Sequence, residues 1–349
     1  MTAALWPDVL GHLAERDDVP VPLVEQAMTA ILSGEATDAQ IAAFGFGLRA
    51  KGETPVELAT LARTMLSFAE RVDIAELGDA PVDTCGTGGD RAGTVNVSTM
   101  AAIVTAAAGV PVAKHGGRAS SSQCGSTDVL EALGVVVDLG PDGVARCVRE
   151  AGIGFCFAGR YHPAWRYVVP VRRELGVPTT FNFLGPLANP AGVRRQVIGV
   201  ADPVMATRMI GALQDLGATR ALVFYGHDGL DELTVTTTST VHELRDSEVS
   251  VYDVDPADYG IERAARGTLA GGDAAGNAEV VHKVFGGASG PVRDIVLLNS
   301  AAALLVGDRV SDLRDGVELA AAVIDDGQAA ATLDAFVRVS VAARESGEG

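Results

Sequence analysis

Near residue 79 the hydrophobic pattern of this chain changes, and that change limits the architectures open to it. Before it, residues 1 to about 73 carry helical periodicity and no strand pattern. Thr37-Asp-Ala-Gln40 and Thr54-Pro-Val-Glu57 are both capping boxes, the second with Pro55 at the first helical position. They predict a small bundle of about four helices. Beyond residue 79, β-rich runs at 135–139, 196–201 and 220–225 alternate with helical stretches at 99–108, 127–133, 141–151 and 203–216. Strands alternating with helices predict an α/β domain. Residues 233–253 are rich in β-branched residues and read as an antiparallel excursion, while 291–306 and 312–344 read as helical and 344–349 as a frayed tail. The segment 160–192, rich in Arg, Pro and Gly, lacks strand periodicity and is expected to cross back to the helical part. The reading is a two-domain α/β protein: a helical domain at 1–75, joined by a crossing segment near 165–190, and an α/β domain at 76–349.

Charge narrows the function. Lys+Arg of 27 against Asp+Glu of 45 leaves a net −18. That argues against nucleic acid, which is met by a basic face, and against an anionic membrane surface. The four cysteines, Cys85, Cys124, Cys147 and Cys156, form no CxxC pair, so a reducing cytoplasm is expected. The first residues acquire charge too early for a secretory signal. There is no run of 18 apolar residues for a spanning helix.

Against this acidic background four segments carry chemistry. Asp83-Thr-Cys-Gly-Thr-Gly-Gly-Asp90 leads to Thr94-Val-Asn-Val-Ser-Thr99 and an alanine-rich helix. Glycines after a strand let backbone amides approach a phosphate, and Asn96, Ser98 and Thr99 fall at a helix start, where free N–H groups favour an anion. The run matches neither a Rossmann fingerprint nor a P-loop. Lys114-His-Gly-Gly-Arg-Ala-Ser-Ser-Ser122, with Gly125-Ser-Thr-Asp128, gathers donors for phosphate oxygens, Lys114 being one of only three lysines. Gly226-His-Asp-Gly-Leu-Asp-Glu232 places two adjacent carboxylates after a strand, which suits Mg²⁺ shared with substrate phosphates, although an acidic turn reads the same way. Arg160-Tyr-His-Pro-Ala-Trp-Arg166 with Val171-Arg-Arg-Glu174 and Asn182–Pro190 could clamp a flat carboxylate or serve as an inter-domain hinge. His162, before a proline, reads as structural.

Together these segments resemble the anthranilate phosphoribosyltransferase family over nearly the whole chain: GTGGD, NVST, KHGGRASSS, GSTDVLEALG, YHPA, VRRELG, FNFLGPLANP, GVADP, GHDGLDE and VRDIVLLNSAAAL, in that order. The resemblance implies a nucleoside phosphorylase-like phosphoribosyltransferase fold, a site in the inter-domain cleft and a homodimer through the helical domain. It implies Mg²⁺-dependent transfer of 5-phosphoribosyl from phosphoribosyl pyrophosphate (PRPP) to the amine of anthranilate, releasing pyrophosphate, in tryptophan biosynthesis. By matching positions, Gly86, Gly89, Asp90, Thr94, Asn96, Ser98, Thr99, Lys114, Arg118, Ser121, Ser122 and Ser126 are the expected PRPP contacts. Ser98, Asp231 and Glu232 are the expected Mg²⁺ ligands. Gly86, His115, Gly117 and Arg172 fall where the family holds anthranilate, with His115 and Arg172 as the expected catalytic pair.

One position departs from the pattern. The family usually reads KHGN, whose asparagine meets the aromatic substrate; here the residue is Gly117. Ala188 also stands where threonine is usual. The first change leaves open a paralogue with the same donor and a different aromatic acceptor. Nucleoside phosphorolysis on the same fold is disfavoured by VRRELG and Arg172, and a non-catalytic PRPP binder by the full set Ser98, Asp231 and Glu232.

Overall fold

The computed structural model describes residues 5–118, 123–265 and 267–349. The chain opens with α1 (Leu5–Glu15), α2 (Val21–Leu32), α3 (Asp38–Lys51) and α4 (Pro55–Ser67). Both capping boxes form: Thr37 accepts from the Gln40 amide and Thr54 from the Glu57 amide, with each N3 side chain returning to the cap. A cap of this kind stabilises a helix start by about 1 kcal/mol.

The α/β part follows as β1 (Val82–Gly86), α5 (Val97–Ala107), β2 (Val112–Gly116), α6 (Ser126–Ala132), α7 (Pro141–Ala151), β3 (Ile153–Phe157), α8 (Ala158–Tyr161), α9 (Val169–Leu175), β4 (Arg195–Gly199), α10 (Pro203–Asp215), β5 (Arg220–Gly226), β6 (Ser239–Arg245) and β7 (Glu248–Val254). It ends with α11 (Ala274–Phe285), α12 (Pro291–Val306), α13 (Leu313–Asp325) and α14 (Gln328–Glu345). Among the described residues the strands form one sheet in the order β3-β2-β1-β4-β5-β6-β7. The first five run parallel; β6 and β7 are antiparallel.

Alternation along the strands divides the sheet into two faces. Val82, Val112, Val197, Leu222 and Phe224 point into a core with α5, α7, α12, α13 and α14. Ile198, Ala221, Val223 and Leu244 point the other way, against α10. That second core continues without a break into the helical part, because Met205, Met209 and Leu213 of α10 pack with Leu58, Leu61 and Met65 of α4. Val168, Val171, Phe181 and Phe183 of the 160–192 segment join the same core, so this segment packs back on α2 and α3.

The structure corrects two readings of local structure. Residues 135–139 are not a strand. Val135, Val137 and Leu139 are buried and the residues between them are not, so the period of two is real. The backbone, however, is satisfied away from the sheet: Val136 N–H donates to Ser340 Oγ at 3.0 Å, and Leu139 C=O accepts from the Tyr161 hydroxyl at 3.0 Å. The expected helical stretch 312–344 is two helices, broken where Gly327 turns left-handed at φ 72°. The sequence reading also passed over β3 and α11, the latter capped by Asp273, which accepts from the Gly276 amide at 2.8 Å.

Candidate active site

Parallel strands all point their carboxyl ends at one edge of a sheet, and α/β proteins build their sites there. The loops after β1, β2 and β5 meet at that edge. The β1–α5 loop carries Gly86, Gly89 and Asp90, and Asn96 is the N-cap of α5. Its far side is braced by residues 269–271: Thr94 bridges Ala270, and the Gly271 amide donates to Gly93 O at 2.8 Å.

The acidic turn after β5 folds onto this loop. The Gly88 amide donates to Asp231 Oδ2 at 2.7 Å, and Glu232 shares the lining of one small cavity with Ser98 in the first turn of α5. The approach needs glycine on the sheet beneath. A Cβ on Gly199 would overlap the Asp231 carbonyl, and one on Gly86 would overlap its carboxylate. Burial, then the like charge of Asp90, pushes Asp231 up to about 7. Glu232 is pushed well above the usual carboxylate range by burial and then by Asp231. Two crowded acids held this way form a donor set that a divalent cation would relieve. Among the described residues no group of three or more His, Cys, Asp or Glu is placed to hold a metal alone. The pair therefore suits a hard ion such as Mg²⁺ that draws its remaining ligands from phosphate and water.

Lys114 enters from β2. It is 1 % exposed, donates to Thr84 O, and reaches Ser98 Oγ at 3.3 Å. Burial lowers its affinity for a proton, opposed by Asp83. Asp83, buried on β1 with its proton affinity raised by burial, accepts from the His115 amide at 3.0 Å and from Asn189 Nδ2 at 2.8 Å. The sequence reading did not single out Asp83 or Asn189; their burial and pairing across 106 residues are visible only in the fold. Ser126 starts α6 and packs on Gly116, while the Gly117 carbonyl accepts from the Thr127 amide at 3.2 Å. Asn96 accepts from Asn277 at 2.9 Å and donates to Cys124 O at 3.2 Å, and Thr99 is buried beneath it.

Other expected site residues sit apart from this convergence. The Arg118 guanidinium pairs with Asp128 and Glu131 of α6 at 2.9 and 2.8 Å and lies over the Phe157 ring. Ser121 and Ser122 lie outside the described residues.

On the acceptor side, His115 Nδ1 lies 2.9 Å from Gly185 O, which fixes N–H on that nitrogen and leaves the Nε2 lone pair without a partner among the described residues. Its ring lies 5.1 Å from that of His162, so the residue read as structural is its neighbour. Burial holds His115 down at about 3 and His162 at about 4. Both are neutral at neutral pH. The guanidinium of Arg172, half-buried on α9, has no ion pair or hydrogen bond among the described residues, and burial lowers its proton affinity. Among the described residues, a Cβ on Gly117 would meet only the Ala158 Cβ, at 3.8 Å.

Comparison with known proteins agrees with this geometry. A family described as glycosyl transferase family, a/b domain, matches residues 78–330, and its helical bundle domain matches 7–69. The chain is 53% identical to the anthranilate phosphoribosyltransferase of Rhodococcus jostii, over 95% of this chain and 92% of that protein. It is 55% identical to that of Acidothermus cellulolyticus, over 97% and 96%. The crystal structure of the Thermus thermophilus enzyme superposes with a TM-score of 0.90 at 39% identity, covering 95% of this chain and 99% of that one. The Saccharomyces cerevisiae enzyme, in complex with PRPP and Mg, superposes at 0.89 with 25% identity, covering 98% and 99%. A bundle, an α/β sheet and a site edge so arranged, with relatives this similar over nearly their full length, mean that the chain belongs to the anthranilate phosphoribosyltransferase family of glycosyltransferases.

Proposed function

We propose that this enzyme transfers the 5-phosphoribosyl group of PRPP to the amine of anthranilate, with Mg²⁺ held by Ser98, Asp231 and Glu232. The observation that carries the reading is the Gly88–Asp231 hydrogen bond, which ties the glycine loop to the acidic turn. In this reading Gly86, Gly89, Asp90 and the start of α5, with Thr94, Asn96, Thr99 and Ser126, face donor oxygens. Lys114 supplies positive charge beneath them, and Arg118, with Ser121 and Ser122, completes the phosphate contacts. Mg²⁺, when bound, neutralises charge on the pyrophosphate.

In the reaction the C1–O bond breaks with its electron pair leaving on pyrophosphate, the anthranilate nitrogen forms the new bond to C1, and that nitrogen gives up one proton, taken by water or by the released pyrophosphate. An aromatic amine is already unprotonated near neutral pH, so placement counts for more than a strong base. The unpartnered Arg172 guanidinium suits the anthranilate carboxylate, bound in a bidentate fork. His115, neutral and with its Nε2 lone pair free, suits orientation of the amine; a group held at about 3 is a poor general base at neutral pH.

The space beside Gly117 favours one alternative, an aromatic acceptor bulkier than anthranilate. We further propose a division into a helical unit at 1–75, with the crossing segment near 165–190, and an α/β unit at 76–349. A cytoplasmic homodimer would pair the helical units, where Phe46 is 51% exposed. Mixing enzyme, Mg²⁺, PRPP and anthranilate and following anthranilate fluorescence tests the activity. Turnover is expected. Slow turnover with anthranilate but fast turnover with a ring-substituted analogue supports the alternative, and absence of PRPP binding overturns both.

A further inference from the structure

The acidic turn packs Leu230 and Leu233 into the large core, and one polar side chain of that core holds its backbone. Asn299 lies in the middle of α12 and is 3% exposed. Its Oδ1 accepts from the Leu233 amide at 3.0 Å, and its Nδ2 donates to the Leu233 carbonyl at 2.9 Å and to Ile295 O at 2.8 Å. Leu233 follows Glu232 directly. One amide side chain thus grips both polar groups of the peptide unit beside the carboxylates, as a neighbouring strand would. Every residue of α12 from Ile295 to Val306 is buried, so the grip comes from a rigid element.

We propose that Asn299 is a positioning residue for the metal-binding carboxylates, acting through the Leu233 backbone to hold Glu232 and Asp231 at the glycine loop. This rests on the assignment of Asp231 and Glu232 as Mg²⁺ ligands. The residue type follows from the contact. Aspartate cannot donate to the Leu233 carbonyl, an aliphatic residue leaves two buried backbone groups unpaired, and glutamine is one methylene too long. The turn is already closed on its other side: Asp228 Oδ1 accepts from the Leu230 amide at 3.3 Å, and Oδ2 accepts from the Thr234 hydroxyl at 2.6 Å and from the Thr236 hydroxyl. Asn299 therefore sets where the closed turn sits, rather than whether it forms. A space of about 10 Å³, the size of one water, lies between Glu232, Asn299, Ser98 and Thr84. A shift of the Leu233 backbone would change how Glu232 packs around this space.

The test is Mg²⁺ titration by calorimetry with PRPP present, alongside thermal melting and anthranilate KM. The set is wild type, N299A, N299D, S300A and the double variant D231N/E232Q. Expected are a Mg²⁺ affinity at least tenfold weaker in N299A and N299D, and an anthranilate KM within twofold of wild type. S300A, which alters the same buried helix without touching Leu233, should bind Mg²⁺ as wild type does. Should N299A not fold, N299D decides, because it fills the same volume and keeps the bond from the Leu233 amide. Wild-type Mg²⁺ affinity in a folded N299D, or equal weakening in S300A, overturns the proposal. If D231N/E232Q also binds Mg²⁺ normally, the metal assignment itself is wrong; if only the double variant loses Mg²⁺, the positioning role alone is wrong.

Discussion

The Gly88 amide donates to Asp231 Oδ2 at 2.7 Å across 143 residues of sequence. The bond joins the phosphate-facing loop to the acidic turn before any ligand arrives. If the pair holds Mg²⁺, D231N/E232Q removes the metal's charge stabilisation, worth several kcal/mol. The double variant should lower kcat/KM on the order of a hundredfold or more. Rates measured across a Mg²⁺ series check this: the dependence on Mg²⁺ should disappear, and an unchanged series contradicts the metal role.

In the proposed function the Arg172 guanidinium, unpaired among the described residues, receives the anthranilate carboxylate. Replacing it with lysine keeps the charge and loses the planar fork. The anthranilate KM should rise roughly tenfold in R172K and more in R172A, while the PRPP KM stays close to wild type. A rise in both constants would show a general loss of structure instead.

The two neutral histidines set a pH signature. Their folded values, about 3 for His115 and about 4 for His162, lie below the ordinary 6.5. The unfolded chain takes up protons near 6.5 while the folded chain refuses them. Stability contributed by these rings is therefore present above that value and is lost as pH falls from about 6.5 toward the folded values. The urea midpoint should drop between about pH 7 and about pH 5, and less steeply in H162Q. Ring signals assigned to His115 or His162 that titrate near 6.5 in the folded protein contradict the burial argument.

Gly117 tests the acceptor pocket. A Cβ there meets ordinary contact with Ala158 and the backbone is not left-handed, so G117N should fold normally. A regained hydrogen bond is worth about 1 kcal/mol, so the anthranilate KM should fall several-fold. Bulky ring-substituted acceptors should slow down in the same variant. Unaltered selectivity between the two acceptors means position 117 does not face the ring.

Gly199 tests the close approach that seats the acidic turn. G199A forces a methyl into the Asp231 carbonyl. Overpacking of this kind costs about 1–3 kcal/mol, and the displaced turn should carry activity down with it. Melting and Mg²⁺-dependent rates should fall together.

Much of this was legible in the sequence for stated physical reasons. The capping boxes at Thr37 and Thr54 are local signals, and both helices start where they predict. The glycine loop was visible as a run of glycines and hydroxyls between a strand and a helix, whereas the Asp231–Glu232 pair, which an ordinary acidic turn mimics, was singled out by the family resemblance. What local pattern could not give is partnership at a distance. Residues 135–139 alternate like a strand, yet Ser340 and Tyr161, far along the chain, take their hydrogen bonds. Asn299 reads in sequence as one polar residue in an apolar helix; its role lies in Leu233, 66 residues away. Arg118 was read as a phosphate ligand from its neighbours in sequence, but Glu131 one helix on holds it in the free protein.

Crystals grown with PRPP and soaked with Mn²⁺ in place of Mg²⁺ test the central claim most directly, through anomalous scattering. The account predicts a peak within coordination distance of Asp231 and Glu232, with the pyrophosphate resting on the Gly86–Asp90 loop. A peak bound elsewhere, or PRPP seated away from the carboxyl ends of β1, β2 and β5, would contradict it.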